Sequence, residues 1–375
     1  MEIQNDYWNL TESVVIDRST KSYQYNEFKE NDISNILANS NYEITIKKGT
    51  WKLLSKAYLH VKSKIDPAPR GGVVTVSNNG LNDFSYAILT YENREIERID
   101  NLGVTSTICN LTEFSGDVSD SVASSLCWYM DTSDKADINR FENSVDATQL
   151  KASEKIITDI LKQNVNFNKG YAERLQLTKD GKILEKFIPL SKVFRFCRDI
   201  PKVLNGEIII RLRKNDYKNI LHAVNDLEYG YKITYLSIWI PEVEPSLQIR
   251  ENLTDLLASN TTTQYGFNYV NGYRSTLQTA IDGTWRITNT QNKVSGIYVV
   301  FSKVGRESNY KNSLMIFDNM NMERIYININ NKQFPTKPFE TNFNPKNLDY
   351  MRLYVEFLNA GLKNDMDEGK EIFIE

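Results

Sequence analysis

The sequence predicts an all-β chain made of two antiparallel sandwiches. Three observations carry that prediction. Short segments with apolar residues at a period of two recur along most of the chain, the signature of strands with one buried face. Polar loops separate them and only three segments have helical spacing, so there is no regular alternation of strand and helix to build a parallel sheet. A length of 375 residues, with 41% hydrophobic and 11% aromatic side chains, suits two cores better than one.

Residues 1 to about 40 are polar and are expected as an extended N-terminal arm. Tyr42, Ile44 and Ile46 then alternate with Glu43, Thr45 and Lys47, which gives a strand. After a turn at Gly49-Thr50, one long strand is expected, with Leu53, Ala57, Leu59, Val61 and Ile65 set against Lys52, Lys56, Lys62 and Lys64. Pro67, Pro69 and Gly71-Gly72 break it, Val73 to Val76 opens another strand, and Asn78-Asn79-Gly80 supplies turn residues. Residues 110 to 145 are rich in Ser, Asp, Thr and Asn, which compete with the backbone for hydrogen bonds, so an exposed excursion is expected there. Leu150, Ile157, Ile160, Leu161 and Val165 recur at helical spacing and predict a Lys-rich surface helix over 146–165.

Gly206 precedes a strand from Glu207 to Arg213, and Asn215 or Asp216 caps a short helix whose apolar face is Tyr217, Ile220, Leu221 and Val224. A strand from Ile233 to Ile240 ends at Pro241. Its near-continuous apolar run, Tyr235-Leu236-Ser237-Ile238-Trp239-Ile240, requires cover on both faces. Pro241 and Pro245 mark the boundary between sandwiches, because proline removes a ladder donor and stiffens a linker. The expected organisation is an arm over 1–40, a first domain with inserted loops over 41–243 and a second domain over 244–375. Strands are expected in the second domain near Tyr265 to Val270, Thr284 to Thr290, Ser295 to Lys303 and Arg324 to Asn330. Asn344-Pro345 then opens an amphipathic helix carrying Leu348, Met351, Val355, Leu358 and Leu362, with Gly361 near its end. After it only Glu371-Ile372-Phe373-Ile374 is strand-like, too little to complete eight strands. The expectation is a shortened second sandwich, or one whose open edge a partner completes, since such an edge leaves N–H and C=O groups unpaired.

Charge excludes some functions. Lys+Arg number 45 and Asp+Glu 48, for a net charge of -3 and an isoelectric point near 5.7, so strong nucleic-acid binding is not expected. Cys109, Cys127 and Cys197 form no CxxC pair and leave at least one thiol unpaired, which suits synthesis in the cytosol or nucleus. Met1 to Asp6 lacks the basic and apolar parts of a signal peptide, and no segment approaches the roughly 18 apolar residues of a membrane span. The Asn-x-Thr sequons at Asn9, Asn110, Asn252 and Asn260 are then chance features of an Asn-rich chain.

No catalytic, cofactor-binding or metal-binding residue is assigned. His60 and His222 stand outside any HxxxH or HExxH pattern and are expected as surface or boundary residues. Asp131, Asp134 and Asp137 recur every three residues, but the loop lacks the Gly and the downstream Glu of a calcium site and is expected to be solvated. Asp282-Gly283-Thr284 and Arg70-Gly71-Gly72 are turns, since no Lys-Ser/Thr follows to open a phosphate-binding helix. Cys197 has no neighbouring His and is read as a half-buried packing residue. Arg211, Arg213 and Lys214 end a strand, facing water, a neighbour's carboxylate or nucleic acid.

Several ordered segments resemble a known family. Pro189-Leu190-x-x-Val193-Phe194-x-Phe196-Cys197-x-Asp199, then Gly206, the strand ending in Arg211-x-Arg213-Lys214-x-Asp216, a short helix and the Ile/Trp-rich strand closed by Pro241 form the first. The second is the strand from Phe84, a turn, Glu95-Ile96-Glu97-Arg98 and then Asn101-x-Gly103-Val104-Thr105-Ser106-Thr107, with Asn93-Arg94 where the family has Asn-Gly. Ser313 to Asp318, Arg324 to Asn330 and Phe334-Pro335 follow in order. Together they resemble the hexon-like double jelly-roll major capsid proteins of Polinton- and adintovirus-type viruses, over roughly residues 45 to 360.

The resemblance implies two eight-stranded jelly rolls with a few short helices, and three subunits in a pseudo-hexameric ring that tiles an icosahedral shell. It implies no catalysis and no cofactor. Its partners would be further copies of itself, penton proteins and minor capsid proteins, within a virion assembled in the host cytoplasm or nucleus. The alternatives are a non-catalytic β-sandwich module that binds carbohydrate or protein, and an integrated viral remnant of the capsid protein. A β-sandwich hydrolase would need paired carboxylates or a nucleophile with its base, and neither is found.

Overall fold

The computed structural model describes residues 19–32, 36–69, 74–114, 118, 121–136, 168–224, 229–259, 264–276, 283–287, 294, 296–341 and 350–361. The architecture is all-β, with a few short helices. In chain order the strands are β1 Thr20–Lys29, β2 Asn41–Ile46, β3 Trp51–Leu53, β4 Tyr58–Asp66, β5 Val74–Val76, β6 Phe84–Tyr91, β7 Arg94–Asp100, β8 Leu184–Pro189, β9 Val203–Leu204, β10 Ile208–Lys214, β11 Leu221–Ala223, β12 Gly230–Pro245, β13 Arg324–Ile329 and β14 Lys332–Glu340. The α-helices are α1 Leu102–Glu113, α2 Lys169–Thr178, α3 Leu190–Val193, α4 Arg195–Asp199, α5 Tyr217–Ile220, α6 Leu247–Ala258 and α7 Met351–Gly361.

Two antiparallel sheets face each other. In the first, β12 lies between β1 on one side and β3 with β4, end to end, on the other; β9 and β8 continue outward from β3 and β4. The second has the order β2-β10-β6-β7. The pairings nest: β1 with β12, β2 with β10, β4 with β8, and β6 with β7. Among these eight strands the first pairs the last, the second the next to last, and so inward. This is the winding of a complete jelly roll.

The core lies between the sheets. Leu59, Val61 and Ile65 of β4, Ile188 of β8 and Ile233, Leu236, Ile238 and Ile240 of β12 meet Tyr42, Ile44, Ile46, Ile208, Ile210, Leu212, Phe84, Ala87 and Leu89 of the other sheet. A register shift between Ile233 and Tyr235 turns both Ile233 and Leu236 inward. Lys186 is fully buried with them, its ammonium bonded to Asp83 and, at 2.9 Å, to the Tyr231 hydroxyl. A buried lysine is tolerable only with such partners.

Several expectations are corrected. The polar segment read as an arm enters the first sheet as β1, paired with β12 from Thr20↔Pro245 to Lys29↔Ser237; residues 1–18 lie outside the described residues. Its polarity fits an edge strand. The one long strand expected after Gly49 is two, β3 and β4, separated by a 3-10 turn at Leu54–Lys56. The strand expected to stop at Pro241 runs on to Pro245. Pro241 falls where the ladder with β4 has ended at Trp239 and that with β3 begins at Glu242, so its missing N–H costs little on that side. The tight turn between β6 and β7 is Glu92-Asn93, both at positive φ (45° and 61°), rather than Asn93-Arg94.

Part of the Ser-rich stretch from 110 to 145 is packed rather than exposed. Ala123, Leu126, Cys127 and Trp128 are buried in the main core, because the 3-10 turn at Val122–Leu126 folds back against β8. The helix expected over 146–165 lies outside the described residues, as do Asn344-Pro345 and Glu371 to Ile374. In the second half, Arg324–Ile329 forms β13, paired with β14 through a turn at Asn330-Asn331, and α7 matches the expected helix. The described residues of the other three expected strands make no ladder beyond the single bridge Phe301↔Asp318. Their side chains at Tyr265, Tyr269, Trp285, Ile287, Ile297 and Tyr298 remain exposed; alternation alone does not make a strand without a paired neighbour.

Ile238→Ala should lower stability by about 2–5 kcal/mol, since the void would lie at the centre of the strand that holds the first sheet together. Urea denaturation followed by tryptophan fluorescence measures it, and a loss below about 1 kcal/mol would contradict this account of the core.

Candidate assembly surface

The outward face of the first sheet is aromatic. Register sets out two rows that cross all four strands: Lys29, Ser237, His60 and Phe187, then Glu27, Trp239, Tyr58 and Pro189. The rings touch one another along and between these rows, and with Tyr25, Tyr23 and Tyr235 beside them. Tyr58 stacks on Trp239 at 6.4 Å and 13°, meets Phe187 edge-on at 5.9 Å and lies 5.7 Å from Tyr25, which meets Tyr23 at 5.9 Å. His60 stacks on Phe187 at 4.4 Å and meets the edge of Tyr235 at 5.2 Å. Tyr23, Tyr25 and Phe187 are 51%, 38% and 41% exposed, so rings occupy the place where a sandwich normally presents polar side chains.

Charges on this face are already matched. His60 Nε2 lies 2.7 Å from Glu185 Oε1 and Lys62 Nζ 3.0 Å from the same oxygen, and these bonds hold the Glu185 carboxyl below its usual range. Burial pushes the Glu27 carboxyl up, but the hydrogen bond from Tyr235 and the nearby charges of Lys29 and His60 outweigh it and the net direction is down. Lys62 and Lys29 sit over the Tyr235 ring at 5.7 and 6.0 Å.

The motif residues serve packing. Pro189 to Asp199 folds into α3 and α4, which plug one end of the sandwich with Leu190, Val193, Phe194, Phe196 and Cys197. Glu97 on β7 accepts from the backbone N–H of Arg195 at 3.1 Å and of Phe196 at 2.9 Å; burial nevertheless raises its pKa to about 7. Glu113 gathers Lys192, Arg195 and Arg198 at 2.9, 2.5 and 3.2 Å. In the Asn101 to Thr107 motif, Gly103 lies where a side chain would collide with Asn82, and Asn79 Nδ2 donates to the Gly103 carbonyl and to the hydroxyls of Ser106 and Thr107. These small and polar residues are one buried hydrogen-bond network.

A second buried network joins the two halves of the chain. Arg174 and Asp131 form an ion pair at 2.6 Å with both side chains enclosed; Asp131 also accepts from Ser313 Oγ at 2.6 Å, and Arg306 bonds Asp318 at 3.0 Å. Beside it, His222 is buried against the edge of the Tyr171 ring. Burial lowers its pKa to about 4, with Asp131 opposing and Arg174 reinforcing the shift.

The residues weighed as chemical candidates are thus not brought together. His60 and His222, expected at the surface or boundary, are buried in different places. Asp131, expected in a solvated loop, is enclosed with Arg174, Asp134 is only partly buried, and Asp137 lies outside the described residues. Cys197 is fully rather than half buried, and burial pushes its thiol well up. Arg211 pairs with Glu43 at 2.6 Å on the next strand, while Arg213 is exposed. Among the described residues no group of three or more His, Cys, Asp or Glu is placed to hold a metal, and no helix is long and apolar enough to cross a membrane. Arg70 to Gly72 and Asp282 lie outside the described residues.

Residues 160–368, more than half of the chain, match the model of the double jelly roll-like domain. The chain belongs to the double jelly roll-like family. This double jelly roll is similar to a chain in the cryo-EM structure of the Sputnik virophage, at 10% identity and a TM-score of 0.42, covering 66% of this chain and 52% of that one. It is similar to the Faustovirus major capsid protein, at 10% identity and a TM-score of 0.38, with 66% and 59% covered. Similarity to the mavirus major capsid protein is at 10% identity and a TM-score of 0.34, with 66% and 53% covered. The chain spans little more than half the length of each of these. No curated protein sequence matches it.

The buried groups predict two opposed pH dependences. Below pH 6.5 the unfolded chain gains a proton at His222 that the folded chain resists down to about 4, so acid favours unfolding. Stability should therefore fall by up to about 3 kcal/mol from this residue as pH drops through that window, and His222→Phe should flatten the fall. Glu97 has the opposite sign: between 4.5 and about 7 the folded carboxyl keeps a proton that the unfolded chain releases, so stability falls as pH rises, and Glu97→Gln should remove that slope. Urea titrations of both variants across pH 4 to 8 measure the two slopes separately.

Asp131→Ala should cost roughly 3–5 kcal/mol, because it leaves the Arg174 guanidinium buried without its counter-ion. A melting temperature equal to that of the parent chain would refute a stabilising role for this ion pair.

Proposed function

We propose that this chain is a viral major capsid protein, a non-catalytic subunit that associates with further copies of itself. The reading extends to trimers of pseudo-hexagonal outline that tile an icosahedral shell. The observation that carries it is the nested strand pairing, which makes the first sandwich a complete jelly roll in a chain whose family match runs on to residue 368. Three subunits with two similar sandwiches each present six alike units around a ring, and such closed symmetric assemblies are the rule for homo-oligomers.

On this reading residues 20–245 build the first roll, and the chain beyond Pro245, including the β13–β14 hairpin, belongs to the second. Neighbouring copies, penton proteins and minor capsid proteins are the partners, and the virion shell is the location. A near-balanced charge suits contacts between proteins better than genome wrapping. The buried histidines, Glu97 at the start of α4 and the enclosed Asp131 are each packed or bonded within the fold, as a structural subunit requires. An integrated copy that no longer assembles would share this fold and differ only in the outcome of assembly.

Sedimentation velocity of the purified full-length chain should show a species of three chains, and negative-stain images should show rings with six lobes. A protein that remains monomeric at every concentration reached would overturn the assembling-subunit reading.

A further inference from the structure

We propose that the outward face of the first sheet, formed by β1, β12, β4 and β8, is a surface through which one copy of this chain binds a neighbouring copy. The inference rests on the self-associating reading above and adds to it the surface used. The sequence of β12 demands cover on both faces, and the core covers only one. The other carries Tyr23, Tyr25, Tyr58, His60, Phe187, Tyr235 and Trp239 in continuous ring contact, with the outermost rings open to solvent. Aromatic clusters of this kind supply most of the energy of protein interfaces once water is removed.

The occupant is argued from where this chain's own second half goes. Apart from α6, which touches only the far end of β12 through Arg250 and Glu244 at 3.0 Å, the contacts described for it run to other places on the first roll. Phe267 packs edge-on against Phe196 at 5.2 Å, and Asn268 N–H donates to Asp199 at 3.2 Å. Gly272 lies so close to Thr105 that no side chain would fit. Thr107 contacts Met315, Ser313 holds Asp131, and Ala223 N–H donates to the Tyr310 carbonyl at 2.8 Å. Among the described residues the second half thus engages α4, α1, β11 and the 131–136 loop, and Tyr23, Tyr25 and Phe187 of the aromatic face stay exposed.

Charge points the same way. The ionic groups around the rings are satisfied within the face, Lys62 and His60 by Glu185 and Lys232 by Asp66, so burial strands few charges and offers little to a nucleic acid. A sugar platform needs upturned parallel rings with free polar groups beside them. Here Tyr23–Tyr25, Tyr58–Phe187 and His60–Tyr235 meet at 83°, 69° and 60°, the two near-parallel pairs, Tyr58–Trp239 and His60–Phe187, are stacked on each other, and the Tyr235 hydroxyl and Glu27 are bonded together. A flat sheet face of another sandwich, packing at about 10 Å between sheets, fits this surface.

The test compares the parent chain, the double variant Tyr25→Asp/Phe187→Asp and the control Val122→Asp, which changes an apolar residue that is also exposed but lies off this sheet. All three should keep the same circular dichroism and melting curve. In sedimentation the parent and the control should associate alike, with the double variant weakened by about tenfold or more. A photo-cross-linking amino acid at Phe187 should join two chains. Unchanged association of the folded double variant overturns the proposal, and so does a cross-link formed only within one chain. Intact assembly with binding of an oligosaccharide lost in the variant overturns it as well, and identifies a sugar site. If the double variant fails to fold, the cross-link decides alone. Failure of the parent chain itself to associate sinks the functional reading instead, so the two failures are distinguishable.

Discussion

The structure depends on one strand. β12 runs for 16 residues, pairs β1 along one edge and β4 then β3 along the other, and gives Ile233, Leu236, Ile238 and Ile240 to the core. Its pairing with β1 closes the outermost loop of the nest, joining residues more than 200 positions apart, as the Lys21–Glu244 contact shows. The loop-closure cost of such a contact grows only as the logarithm of length, so a native state can hold it. The β6–β7 hairpin, closed by two residues, spans the shortest loop of the nest, and each further pair encloses a longer one.

Around that frame, polar groups in the interior fix which packing is adopted. Lys186 with Asp83 and Tyr231 lies between the sheets, Asn79 ties α1 to the turn before β6, and Glu97 caps the start of α4. None of these need add net stability, because removing charges from water costs as much as their attraction returns. Their value is selective: a packing that shifted β8 or α4 by one residue would leave each of them enclosed and unpaired. The Asp131, Arg174 and Ser313 cluster extends the same logic across the two halves of the chain.

Much of the first roll was legible in the sequence because its core strands obey a period of two. Tyr42-Ile44-Ile46, Leu59-Val61 and the Ile233 to Ile240 run were readable for that reason. β1 was not, since an edge strand with Tyr23 and Tyr25 facing outward and Gln24 and Asn26 beside them has the composition of a tail. The break at Leu54–Lys56 was hidden because Leu54 and Ala57 keep the apolar count of a strand while the backbone makes a single tight turn. Cys127 and Trp128 were masked by the serines around them, and the burial of Asp131 could not be foreseen, because its partner Arg174 stands 43 residues away. The family motif, by contrast, was visible through its small residues. The structure supplies the reason: Gly103, Ser106 and Thr107 pack where bulk would break the Asn79 network.

The candidate surface was legible in a less direct way. An antiparallel sandwich whose outer face meets water alternates apolar with polar residues, and β12 does not: Tyr235 and Trp239 stand between Leu236, Ile238 and Ile240. The contacts among these rings help hold the sheet, but the outermost, Tyr23, Tyr25 and Phe187, keep much of their apolar surface in water, where it adds little to the fold beneath. Lysine or threonine there would serve the isolated sheet as well and resist aggregation better. In register the rings extend from β12 to Tyr58 and His60 of β4 and Phe187 of β8, and Tyr23 and Tyr25 continue them on β1 opposite Val243 and Pro241, so the pattern belongs to the face and not to one strand. A property shared by four strands that meet only in the folded state belongs to the face they form, and that face is where the proposed contact between copies lies.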